Sequence, residues 1–156
     1  MSAVEDRLAE LGLTLPEVAA PLAAYVPAVQ DGDLVFTSGQ LPIVDGTLAG
    51  AGKVGEGEGL VPPVTATQLA ARCALNAIAA VKSVVGDLDR VSRVVKVVGF
   101  VASDPSFTGQ PAVVNGASEL LGAAFGDQGV HARSAVGVAA LPLDAPVEVE
   151  IIVSIR

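Results

Sequence analysis

A 156-residue chain with 17 acidic against 9 basic side chains, formal charge -8, is poorly suited to gripping a polyanion, because nucleic-acid affinity rests on Lys and Arg neutralising phosphates. Apolar residues make up 51% of it but aromatics only 3%, so its core must be built from Ala, Val, Leu and Ile, and so much apolar surface on a small domain predicts burial between copies of the chain. One cysteine, Cys73, excludes an internal disulfide, and the single histidine, His131, leaves no Cys/His metal set. The N-terminus lacks the basic and apolar regions of a signal peptide, and no apolar run reaches the ~20 residues of a membrane span, so a cytoplasmic location without membrane contact is expected.

The first dozen residues space Val4, Leu8 and Leu11 as a helix and then meet Gly12 and Pro16, which predicts a short helix with little tertiary commitment inside an N-terminal extension over residues 1–20. Tyr25–Gln30 and Leu34–Leu41 are β-rich runs either side of Asp31-Gly32-Asp33, the signature of a hairpin. Residues 44–63 repeat glycine and end in Pro62-Pro63, predicting a mobile loop with room for one short strand. Within it Gly50-Ala51-Gly52-Lys53-Val54-Gly55 matches a dinucleotide-binding pattern by letter only. No apolar strand precedes it, Glu56-Gly57-Glu58-Gly59 stands where a helix should begin, and Val54 takes the place of the Ser or Thr that a phosphate loop uses to hold magnesium. No cofactor or metal is expected.

From Val64 to Val85 runs a helix that Thr65 or Thr67 can cap, with an apolar stripe at Ala71, Leu75, Ile78, Val81 and Val85 and a stop at Gly86. Cys73, inside it, reads as a small core residue. Arg93–Ala102 is apolar on both faces, as a central strand is. Pro111 opens a second helix over 111–125, closed by Gly126, and two strands follow at 132–140 and 147–155. This order, without internal repeat or linker, predicts a single α+β domain over 1–156, one sheet with two helices packed on one face. The other sheet face stays apolar and uncovered unless copies associate.

Arg133, Glu148 and Glu150 stand inside short apolar runs, where a charge must find a partner or a ligand. Arg133 offers a planar fork suited to a carboxylate, or to a glutamate across an interface. If the last two strands formed one hairpin, Arg133 and Glu148 would lie roughly 20 Å apart, so another pairing or a neighbouring copy must bring them together. Glu150, on the same strand face as Glu148, is the better candidate for a structural ion pair with Arg133, Arg93 or Lys96. Tyr25 suits packing as well as binding, His131 reads as a strand-edge residue, and Ser38 lacks the nucleophile-elbow pattern of a hydrolase.

Tyr25-Val26, Thr37-Ser38-Gly39-Gln40-Leu41-Pro42, Val98-Gly99-Phe100-Val101, Asn115, Ala132-Arg133-Ser134 and Val147-Glu148-Val149-Glu150 follow an order and spacing that resembles the RidA (YjgF-like) family of reactive-intermediate deaminases, over residues 25–156. The resemblance implies a chorismate-mutase-like fold and a homotrimer with three clefts between subunits. In enzymatically active members it implies hydrolysis of an enamine or imine such as 2-aminoacrylate to ammonia and a 2-keto acid, without a cofactor. It further implies that Arg133 binds the substrate carboxylate and Glu148 orients water. Tyr25 and Asn115 would line the cleft, with Ser38, Gly39 and Gln40 supplying wall and backbone contacts. Ala135-Val136-Gly137 stands where many members carry Cys or another residue and then Val-Glu, and His131 where Pro is usual. These departures, with the longer N-terminal extension and glycine-rich loop, imply a divergent branch. A non-enzymatic, small-carboxylate-binding or regulatory trimer is the alternative. The ribonuclease or translation-inhibitor activity attached to some relatives is disfavoured by the acidic charge.

Overall fold

A computed structural model describes residues 1–18 and 24–156. Along the chain run α1 (Ala3–Glu10), β1 (Ala28–Asp31), β2 (Leu34–Thr37), β3 (Ile43–Val44), β4 (Thr47–Leu48), α2 (Pro63–Val85), β5 (Val91–Ala102), α3 (Gln110–Phe125), β6 (Ala132–Val138) and β7 (Val147–Ile155). Five strands make one sheet in the order β1-β2-β7-β5-β6, while β3 and β4 pair only with each other. β5 pairs antiparallel with β7 and parallel with β6, and α3 is the crossover that a parallel pair requires. The last two strands therefore form no hairpin; they flank β5.

β7 alternates strictly. Val147, Val149, Ile151, Val153 and Ile155 are buried beneath the helices, and Glu148, Glu150, Ile152 and Ser154 are half-buried on the opposite face. Small residues let the helices approach that core closely. A Cβ at Gly116 of α3 would lie 1.9 Å from the Thr67 carbonyl oxygen of α2, and one at Gly99 of β5 would lie 2.4 Å from Val114 Cγ2. Alanine along α2 (Ala66, Ala70, Ala74, Ala77, Ala80) is fully buried, which is how a core almost without aromatics reaches close packing. Cys73 lies there as expected, its thiol donating to the Val147 carbonyl at 3.7 Å and pushed well up in pKa by burial. α2 is by length and composition apolar enough to cross a membrane, but it lies mostly inside the domain.

Three local expectations are corrected. α1 is firmly docked: Ser2 and Glu5 close a capping box, Val4 and Leu8 are buried, Glu5 pairs with Lys82 of α2, and Arg7 Nη1 donates to the Ala124 carbonyl of α3 at 3.1 Å. It spans only part of the 1–20 extension, and residues 19–23 lie outside the described residues. The 44–63 segment is held rather than loose. Asp45 and Gly46, at φ +49° and +79°, form a primed turn between β3 and β4, the buried Asn76 amide donates to the Leu41 and Ile43 carbonyls at 2.9 and 3.1 Å, and Val54 bridges to both Val61 and Ser103. Neither Thr65 nor Thr67 caps α2: Pro62 precedes the helix without a side-chain bond, and the Thr67 hydroxyl donates to the Pro63 carbonyl at 2.9 Å.

Gly116→Ala should lower the unfolding free energy in a urea titration by about 3 kcal/mol, because the added methyl meets backbone that cannot step aside. Gly122→Ala, with open space around its Cβ, should be neutral or stabilising by about 1 kcal/mol. The hydrogen bond from Lys82, with those from Ser2, holds the Glu5 carboxyl down to about 2, against an ordinary 4.5. A depressed carboxyl contributes stability above its unfolded value and loses it as pH falls, so the docking of α1 should weaken between about pH 4.5 and 2. Glu5→Gln should flatten that part of the stability profile.

Candidate functional site

Most of the residues implicated by sequence sit on the open face of the sheet, where β2 gives way to the segment that crosses β7. Gln40 exchanges both main-chain hydrogen bonds with Val149, its N–H donating to the Val149 carbonyl at 2.8 Å and its carbonyl accepting from the Val149 N–H at 3.0 Å. This lays Gly39 directly on the Glu148 side chain: a Cβ at Gly39 would lie 1.9 Å from Glu148 Oε1. Only glycine leaves room for the carboxylate. The Ser38 hydroxyl donates to the Val26 carbonyl at 2.6 Å and its N–H to the Pro27 carbonyl at 2.8 Å, which holds the exposed Tyr25 beside this cluster.

Glu148 and Glu150 share that face with Val98 and Phe100, their β5 partners in register, and with Phe36, Ile152 and Val136. Burial raises the pKa of both carboxyls, and the neighbouring Glu150 charge raises that of Glu148 further. Neither glutamate forms an ion pair among the described residues. Within this chain, Glu150 is therefore not paired with Arg133, Arg93 or Lys96.

Arg133 lies elsewhere. It pairs with Val97 of β5, which pairs with Ile151 of β7, a row that faces the helices, whereas Glu148 belongs to the row of Phe100 and Val136 on the open face. Two strand spacings, about 10 Å, a three-residue offset along β7 and the thickness of the sheet separate the two within the chain. Arg133 reaches over the edge strand to α3: Nη1 donates to Asn115 Oδ1 at 2.7 Å and to Ser118 Oγ at 3.3 Å, and Nη2 donates to the Pro111 carbonyl at 3.2 Å. A guanidinium carries five N–H donors, so Nε–H and one Nη2–H remain without a partner among the described residues. Asn115 itself is exposed, its oxygen committed to Arg133.

The single chain thus presents two separate groups. Tyr25, Ser38, Gly39, Gln40 and Glu148 are together, Asn115 and Arg133 are together, and the groups do not meet. Ser118 escaped the sequence reading, which placed His131 at a strand edge. Ser118 follows Asn115 by one helical turn, and that i, i+3 spacing is the signal that could have found it. Its Oγ lies 2.8 Å from His131 Nε2, so His131 is a hydrogen-bonded member of the Arg133 group rather than a bare strand-edge residue. A Cβ at Gly137 would lie 2.7 Å from the Gln110 amide nitrogen, which donates to the Phe107 carbonyl at 2.8 Å.

Residues 5–154 match the family model described as "YjgF/chorismate_mutase-like, putative endoribonuclease". Protein TCP17 of Trypanosoma cruzi is 47% identical over 155 residues, 98% of this chain and 94% of that protein. The crystal structure of Atu1372, a protein of unknown function from Agrobacterium tumefaciens, superposes with a TM-score of 0.91 at 46% identity, covering 99% of this chain and 93% of that one. The structure of E. coli TdcF with bound serine superposes with a TM-score of 0.63 at 25% identity, covering 90% and 94%.

Glu150→Gln removes the like charge beside Glu148 and should move the Glu148 carboxyl titration, followed by carbon-13 NMR, to lower pH. Gly39→Ala should displace the Glu148 carboxylate while costing little stability, since the atom it strikes is the end of a flexible side chain.

Proposed function

The chain belongs to the YjgF/chorismate-mutase-like (RidA) family, and we propose that it is a hydrolase that deaminates small carboxylate-bearing enamines and imines to 2-keto acids, working as a homotrimer in clefts between subunits. The observation that carries this reading is the state of Arg133. Three of its N–H groups are fixed by its own chain, and the two left over match the two oxygens of one carboxylate. The separation of Arg133 from Glu148 supports a site completed by a neighbouring copy. So does the open sheet face, where Val29, Leu34, Phe36 and Val136 leave 36–50% of their surface exposed. The serine bound by TdcF carries a carboxylate and an α-nitrogen, the two groups such a substrate presents.

In this reading the enamine tautomerises to its imine, and the imine carboxylate rests on the Nε–H and Nη2–H of Arg133. Glu148 of the neighbouring subunit takes a proton from water as the water oxygen bonds to the imine carbon, and returns that proton to the nitrogen. The resulting carbinolamine collapses: Glu148 takes the hydroxyl proton as the C=O bond forms and the C–N bond breaks, that proton passes to the departing nitrogen, and ammonia and the 2-keto acid remain. Burial and the neighbouring Glu150 raise the pKa of Glu148, making it a better proton acceptor once ionised. Imine hydrolysis is intrinsically fast, so orienting one carboxylate and one water supplies most of what is needed.

Ammonia and keto-acid release should be measured from freshly generated 2-aminoacrylate and from bulkier imines. Arg133→Ala should lower kcat/KM at least about 100-fold, and Arg133→Lys should recover little, since an ammonium has no planar fork. Both should scatter light as the parent does, at three times 15.5 kDa. Glu148→Gln should lower kcat far more than it weakens binding of an unreactive carboxylate. A parent protein that binds carboxylates through Arg133 but leaves imines untouched would establish the non-enzymatic binder instead. With a formal charge of -8, RNA cleavage dependent on Arg133 is not expected, and finding it would overturn the reading.

A further inference from the structure

We propose that Ser118 and His131 are the positioning residues of the anion site, a two-member relay that sets the Arg133 guanidinium before any ligand arrives; this rests on the reading of Arg133 as the carboxylate anchor. The donor and acceptor roles follow from the bonding partners. His131 Nδ1 lies 2.6 Å from the Gly129 carbonyl oxygen, which can only accept, so Nδ1 carries the proton. In the neutral imidazole Nε2 is then bare, and the Ser118 hydroxyl 2.8 Å away donates to it. With its hydrogen so committed, Ser118 Oγ turns its lone pairs toward Arg133 and accepts from Nη1 at 3.3 Å.

The chain of bonds runs one way, from Arg133 through Ser118 and His131 to a backbone carbonyl. Its last member is anchored to the chain just before β6, and Ser118 is anchored in α3. A serine inside a helix otherwise turns its hydroxyl back to a carbonyl one turn earlier, which takes the oxygen off the arginine. His131 prevents that turn. Asn115, the other side-chain partner of Arg133, is exposed, whereas Ser118 and His131 are half-buried. Its effect on the ligand is selective. Both Nη1 hydrogens are consumed within the chain, and an incoming carboxylate is steered to the Nε–H and the free Nη2–H.

The test begins without substrate. In nitrogen-15 NMR of the unliganded protein, His131 should show a protonated Nδ1 and a bare Nε2, and the Arg133 guanidinium should give separate, slowly rotating Nη signals. Ser118→Ala and His131→Ala should collapse those signals to an average, while Ser118→Thr, which keeps the hydroxyl, and His131→Gln, which keeps an acceptor, should restore them. In calorimetry with 2-oxobutanoate as the probe, the alanine variants should bind about tenfold more weakly, the worth of one hydrogen bond to a charged group, and the conservative variants should recover most of it. In turnover, KM should rise by a similar factor with kcat within about twofold, because a bond present in ground and transition states alike is lost. Unchanged guanidinium signals and unchanged probe affinity in both alanine variants would overturn the relay. If imines prove not to be substrates while the signals still depend on Ser118 and His131, the relay stands and the deaminase reading falls.

Discussion

The strand that everything else answers to is β5, hydrogen-bonded along both edges. Its antiparallel pairing with β7 and parallel pairing with β6 decide which side chains can share a face, because side-chain direction alternates with period two and a slip of one residue would reverse every assignment. That register sends Arg133 to the helix side and Glu148 to the open side. It also obliges α3 to bridge β5 and β6, which is what carries Asn115 and Ser118 to the arginine. The fold therefore positions each of the two residue groups firmly while keeping them apart in a single chain.

The open face concentrates the energetic cost of this arrangement. Glu148 and Glu150 lie two residues apart among Phe36, Val98, Phe100 and Ile152, with no cation paired to either among the described residues. Their carboxyl pKa values are raised, so the folded chain holds protons that the unfolded chain has released, and stability falls as pH rises through the range above 4.5. Two repelling, partly desolvated carboxylates do nothing for packing. Strained electrostatics of this kind is what makes the pair a candidate site.

Much of this was legible in the residues. The i+3 and i+4 stripe of α2 and the alternation of β7 over 147–155 carry their own boundaries, and Gly86 and Gly126 mark where the helices stop. Arg133 and Glu148 stood out because charges are costly in apolar runs. The placement of β7 between β2 and β5 has no local signal, since it is a pairing between segments more than 100 positions apart, as in Phe36 with Ile152. The docking of α1 was hidden for a similar reason: Glu5 finds Lys82, and Arg7 finds Ala124, only once the tertiary fold exists. The primed turn at Asp45-Gly46 could have been read, but the density of glycine around it resembled a loop. Asn115 was singled out only through the family resemblance, and Ser118 not at all, because a lone polar residue on a helix is exposed by default.

Cys73 gives the molecule an internal gauge. The lone thiol lies on the buried face of α2 at zero exposure, bonded to the β7 backbone and held protonated by burial, so a thiol-reactive reagent meets nothing nucleophilic while the helix is seated. Reaction requires α2 to lift from the sheet, and its rate under mild conditions counts those openings. The native protein is accordingly indifferent to oxidants that act through thiolates, and a mass label on this one sulfur reports how often the α2 interface comes apart.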